Sequence, residues 1–320
     1  MRPILVLVIA CLTSSLLSAQ QEQMLTQFMY NKLSYNPGSA GSFESPTLTV
    51  VDRHQWIGFD GAPTAQVLSY TQPILNRRVG LGGALAHQSI GITRTVTLEG
   101  SYAYRIPFKR GYLGIGIQVS LRHFAQNWTD KSIVPAQTSD PLIPPLSEHN
   151  KFLPNFGFGL FYTGYKWFAG LAVPRLLGNN ISFAAVSSLK SREVPHLNAM
   201  TGVTFELNDN LDITPQILVR YVKGAPFDAD VNGTLCYKNK FYGGLTYRTG
   251  GNKGGVGESA DVLFGLQASK KLFVGLSYDL NLSRLRTQQA GSAELALRWW
   301  FNPPEGVTGV VPKKTPKPLF

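Results

Sequence analysis

Residues 112–122 read "YLGIGIQVSLR". In an extended chain, Leu113, Ile115, Ile117, Val119 and Leu121 fall on one face, while Tyr112, Gly114, Gly116, Gln118, Ser120 and Arg122 fall on the other. That period of two is the mark of a β-strand. The same alternation runs through "LFVGLSYDLNL" at 272–282 and "SAELALRWWF" at 292–301, where Leu295 and Leu297 share a face against Glu294 and Arg298. Alternation alone fits two architectures. A soluble sandwich buries the apolar face, whereas a barrel wall turns it toward lipid.

The connections separate the two. Segments of this kind number fourteen, centred near residues 50, 68, 85, 99, 118, 157, 169, 201, 216, 232, 244, 263, 277 and 296. An even count is what single-chain bacterial barrels have. After even-numbered segments the connections are short, such as "NRR" at 76–78, "FKRG" at 108–111 and "SKK" at 269–271. After odd-numbered segments they are mostly longer, the largest being 126–149 and 174–192. A sandwich has no reason to sort loop length by parity, but outer-membrane barrels have short periplasmic turns and long external loops. The expected fold is therefore an all-β, 14-stranded antiparallel transmembrane β-barrel over 45–301, with both termini periplasmic. The loops near 60, 135, 183, 225, 252 and 286 face outward.

The ends of the chain agree with that compartment. Residues 1–19 carry one Arg, an apolar run from Ile4 to Leu17 and small residues before Gln20, the build of a secretory signal peptide. Val8-Ile9-Ala10-Cys11 also fits a lipoprotein-type site, but the apolar run continues past Cys11, which favours cleavage after Ala19. No later stretch approaches the roughly 20 apolar residues of a membrane helix. Cleavage leaves one cysteine, Cys236, and so no internal disulfide. Residues 20–44 form a polar and aromatic lead expected on the periplasmic side. Residues 302–320 form a Pro- and Lys-rich tail whose composition is that of a disordered segment.

Catalytic and metal-binding patterns are missing. His54, His87, His123, His149 and His196 have no metal-ligand spacing. "GGNKGGVGES" at 250–259 places Glu258 where a phosphate-binding loop needs Lys, and no helix follows. The expected set of catalytic, cofactor and metal residues is none. The inward faces carry Glu99, Arg105, Arg122, Glu206, Asp212, Arg220, Asp261, Asp279, Glu294 and Arg298, charges that must be paired or hydrated in a narrow space. They suit a polar core filling a closed barrel or the lining of a solute path, and the first reading is preferred because fourteen strands enclose limited room and the 20–44 lead is at hand to help fill it. The excess of positive charge suits acidic partners or lipopolysaccharide phosphates; nucleic acid does not suit a secreted barrel.

"QFMYNKLSYNPGSAGS" at 27–42 followed by "DRHQWIGFDGAPTAQVLSYTQP" at 52–73 resembles the opening signature of the PorP/SprF family of type IX secretion system outer-membrane proteins. Matching stretches follow in order at 79–91, 196–207, 224–232, 241–248 and 275–299, over nearly the whole mature chain. Asp52-Arg53-His54 departs from the family's Tyr-Arg-Asn type sequence, so Arg53 and the Gln55-Trp56 pair are the better-kept elements. The resemblance implies a fourteen-stranded barrel without enzymatic activity that serves export or surface anchoring of type IX substrates, such as gliding adhesins. The implied partners are such a substrate or adhesin, periplasmic components of the machinery, and outer-membrane lipid. Arg53, Gln55, Trp56, Gly58, Phe59, Gly61, Ala62 and Pro63 form the candidate signature loop, a tight rim element held by Pro63 and Gly61 and suited to docking. Trp56 is expected at the boundary of lipid and water. A small-solute channel is the alternative function.

Overall fold

A computed structural model describes residues 24–130, 147–183, 191–223, 225, 227–250, 257–282 and 284–301. The expected signal peptide, Cys11, the 302–320 tail and the middle of the 126–149 and 174–192 loops lie outside the described residues. So does most of the glycine loop at 251–256.

The wall consists of β1 (Thr47–His54), β2 (Thr64–Ile74), β3 (Val79–Ile90), β4 (Thr93–Phe108), β5 (Gly111–Asn127), β6 (Glu148–Gly164), β7 (Trp167–Val173), β8 (His196–Val203), β9 (Phe205–Asn208), β10 (Leu211–Val222), β11 (Asp228–Tyr237), β12 (Phe241–Thr249), β13 (Ser259–Gln267), β14 (Leu272–Asn281) and β15 (Ser292–Trp300). β8 and β9 are two pieces of one wall strand, both paired to β10 and separated at Thr204, so fourteen strands close the wall. Each strand pairs antiparallel with its neighbours, and β15 pairs with β1, which leaves no open edge. All fourteen segments expected from alternation lie on these strands.

The faces sort as the period of two requires. Along β5, Gly114, Gly116, Gln118 and Ser120 are buried while Ile117, Val119 and Leu121 are exposed. On the outside, Leu245 is 67% exposed and Phe264 66%, values that a sandwich core would not tolerate. The apolar face therefore points outward, toward lipid. No described helix is long and apolar enough to cross a membrane.

Loop lengths follow parity with one exception. Turns 75–78, 109–110, 165–166, 209–210, 238–240 and 268–271 define one rim. The other rim carries 55–63, 128–147, 174–195, 223–227, 250–258 and 282–291, but β3 and β4 are joined there by 91–92 alone, with Gly91 in the left-handed region at φ 52°. β5 and β6 stay paired from Gly111↔Gly164 to Asn127↔Glu148, so this hairpin stands taller on that rim than the short β7 beside it.

The apolar core lies inside the barrel and is built around the lead. Three short helical turns, Phe28–Tyr30, Lys32–Ser34 and Pro37–Ser39, fold within the lumen. Leu25, Phe28, Met29, Tyr30 and Tyr35 pack against Val51, Val67, Phe161, Phe168, Met200, Leu218, Tyr242, Leu263 and Phe273 of the wall. This corrects the expected periplasmic lead: its described residues are inside the barrel. Glycine on the inner wall makes the fit possible. A Cβ at Gly80, Gly114 or Gly116 would run into the backbone of Ala40, Gly38 or Pro37, and Gly41, at φ 68°, lies against Gly80.

Candidate functional site

The lead rises through the lumen. Asn36 caps its last helical turn by accepting from the Gly38 N–H at 2.8 Å, and its amide donates to the Leu160 carbonyl at 2.9 Å. These contacts sit near the short-turn rim, where β3, β5 and β7 begin. At its other end the lead reaches the level of Arg53, the penultimate residue of β1 before the 55–63 loop. The Thr26 and Gln27 N–H groups each donate to Glu294 at 2.8 Å, and the Thr26 hydroxyl donates to Asp279 at 2.8 Å. The segment thus spans the lumen from one rim toward the other.

Two ion-pair clusters hold the upper lumen. Arg53 lies 2.6 Å from Asp279 and 3.2 Å from Glu294, and donates to the Thr26 hydroxyl at 2.7 Å. On the neighbouring arc, Asp230 accepts from Arg220 at 2.9 Å and from Arg248 at 2.7 Å, and Arg220 also reaches Asp228 at 2.9 Å. All these groups except Asp228 are nearly fully buried, so each charge is stable only while its partners remain. Lower down, Arg298 donates to the Tyr30 carbonyl, and its guanidinium carbon lies 4.7 Å from the Phe43 ring centroid. Lys32 Nζ stands 3.7 Å from the Phe168 ring centroid.

The long-loop rim is cross-tied. Residues after β7 fold back across β6, β5 and β4: the Leu177 N–H donates to Asn155 Oδ1 at 2.9 Å, Arg122 pairs with Glu193 at 2.6 Å, and Arg175 reaches Glu99 at 3.2 Å. The signature loop joins the same rim. The Gln55 N–H donates to the Pro63 carbonyl at 2.9 Å, and Ile57 exchanges backbone bonds with the 290–291 turn at 2.8 Å. Gly91 donates to the Gly61 carbonyl at 2.9 Å. Trp56, Gly58 and Gly61 all adopt positive φ, and the half-buried Trp56 ring meets Phe59 edge-on at 6.4 Å. Phe59 and Gly58 are exposed, while Gln55, Ala62 and Pro63 are half-buried.

Arg53 parts from the loop residues with which the sequence grouped it. It lies on β1 and points into the lumen. Glu206, expected inside the narrow space, is exposed at the short-turn rim, 3.8 Å from Lys166. The sequence reading missed Asp230 and Arg248, although both lie on segments it located and both point inward; their membership in one cluster is set by strand register. It offered the lead as filling for the lumen but named none of its contacts with these charges. Among the described residues, no group of three or more His, Cys, Asp or Glu is arranged to hold a metal ion. The chemistry assembled here is ion pairing and the capping of backbone N–H groups, which fixes a segment in place.

A sequence model described as "Type IX secretion system membrane protein PorP/SprF" matches residues 17–299. A search of curated protein sequences finds no match. Among solved structures, the CymD monoaromatic hydrocarbon channel aligns with TM-score 0.50 at 12% identity, over 88% of this chain and 94% of that one. The outer membrane protein Omp33 of Acinetobacter baumannii aligns with TM-score 0.46 at 10% identity, over 82% and 100%. The KdgM porin aligns with TM-score 0.36 at 11% identity, over 80% and 99%. At such identities the likeness concerns the barrel fold.

Proposed function

The chain belongs to the PorP/SprF family of type IX secretion system membrane proteins, and on that premise we propose that it is a non-enzymatic outer-membrane component needed for export or surface anchoring of type IX substrates, gliding adhesins among them. The observation that carries this reading beyond the family is the filled lumen. A solute channel needs a continuous aqueous path, and here the residues from Leu25 to Phe43 occupy the interior, tied to Asp279, Glu294, Leu160 and Arg298. That disfavours the small-solute channel. A barrel plugged by its own chain offers other molecules its two rims.

The short turns face the periplasm and the long loops the exterior, so the cross-tied rim with Phe59 and the 174–195 loop is where a surface-held substrate would dock. The periplasmic machinery would meet the opposite rim. In cells lacking this protein, at least one protein with a type IX sorting domain should disappear from the surface and return on complementation. An unchanged surface and secreted proteome would remove the reading.

A further inference from the structure

The two rims differ in charge. The six short turns hold nine Lys or Arg and a single acidic residue, Asp209. The long connections, several times their combined length, hold eight Lys or Arg against five Asp or Glu. Only the 209–210 turn lacks a cation, so the positive charge runs around most of the circumference. Lys109, Arg110, Lys238, Lys240, Lys270 and Lys271 are all exposed.

We propose that the short-turn rim is a binding surface for the anionic headgroups of phospholipids in the inner leaflet of the outer membrane. Placement beside the apolar wall supports lipid as the occupant. Tyr237 and Phe241 are exposed on the outward face, and Lys238 Nζ and Lys240 Nζ lie 5.2 Å and 5.5 Å from their ring centroids. Trp167 and Tyr162, stacked at 4.3 Å, stand in the same belt one turn beyond Lys109 and Arg110. Aromatic side chains in this position mark the boundary between hydrocarbon and headgroup. Cations held over such rings stand at phosphate height, where each is drawn to an anionic surface. A docked periplasmic protein would account for a basic arc; a lipid annulus accounts for charge on five turns around the barrel.

The proposal rests on the reading that the short turns are periplasmic, but not on the secretion role. Its test uses the purified full-length mature barrel reconstituted in phosphatidylcholine vesicles that contain spin-labelled phosphatidylglycerol, phosphatidylcholine or lipid A. The fraction of motionally restricted label reports association with the protein. Phosphatidylglycerol should be preferred over phosphatidylcholine by about threefold or more, and high salt should reduce the preference. Replacing these six residues by Gln, which leaves Arg77, Arg78 and Lys166, should lower the ratio most of the way to one, with heat-modifiable gel mobility confirming the fold. Should that variant fail to insert, Lys270→Gln/Lys271→Gln and Lys238→Gln/Lys240→Gln should each lower the ratio in part. No preference in the wild type, a preference unmoved by these substitutions, or a preference for lipid A alone would overturn the proposal. So would loss of a crosslinked acidic periplasmic protein from the variants while their lipid selectivity stayed at the wild-type value.

Discussion

Arg53 shows how much one position can join. β1 carries it inward between Asp279 of β14 and Glu294 of β15, and the Thr26 hydroxyl of the lead completes its shell. Removing a buried charge leaves its partners uncompensated, so Arg53→Ala should lower the unfolding free energy by about 3–5 kcal/mol, read from guanidinium unfolding in vesicles. A loss under about 1 kcal/mol would mean that water reaches and screens the cluster. Glu294 gives the complementary case. A hydrated carboxylate would tolerate Gln, but Glu294 accepts two backbone N–H groups of the lead as well as Arg53. Glu294→Gln should therefore cost about 1.5–3 kcal/mol in the same assay, and a near-neutral result would mean that the carboxylate is hydrated after all. Glu294, Asp279 and Arg220 were legible as inward charges because they alternate with apolar neighbours along single strands. Which of them meet was not legible, because a pair such as Asp230 and Arg248 depends on register between strands, and one residue of slip would send every side chain to the other face.

At the scale of elements, the wall was legible in its pattern, while the lead was legible only as available filling for the lumen. β15 alternates cleanly, with Ser292, Glu294, Ala296 and Arg298 buried and Leu295 and Leu297 toward lipid. Leu297→Arg should cost about 2–4 kcal/mol in vesicle folding if it lies near mid-bilayer. An effect near zero would contradict the outward assignment. The lead has no periodicity, and in isolation its Asn, Gln, Thr and Tyr look like a solvated appendage. Its partners lie on strands as distant in the chain as β15, and the only local hints are Asn36 capping the Pro37–Ser39 turn and a run of small residues through Ala40 and Gly41. Gly80, Gly114 and Gly116 lie opposite it on the inner wall, where the lead backbone leaves no space for a Cβ. Gly80→Val places a branched side chain into the Ala40 backbone and should cost about 1–3 kcal/mol from overpacking. It should also raise protease sensitivity of the lead; protection equal to wild type would mean that the lead does not rest on β3.

For the whole molecule, closure and strand count follow from alternation and parity together, and the two-residue link at 91–92 is a local exception that leaves the parity intact. Topology can be checked with single cysteines in a Cys236→Ser background. Asp60→Cys should react with an impermeant maleimide on whole cells, and Lys109→Cys only after the outer membrane is breached. The reverse pattern would invert the barrel. The lead fills the lumen, so the intact barrel should carry no ion current. Single-channel recording of the purified full-length protein in planar bilayers tests it most directly. The wild type should give a quiet baseline, and large, steady conductance steps should appear once residues 24–43 are deleted; large, steady steps from the intact protein would mean that the lumen is open.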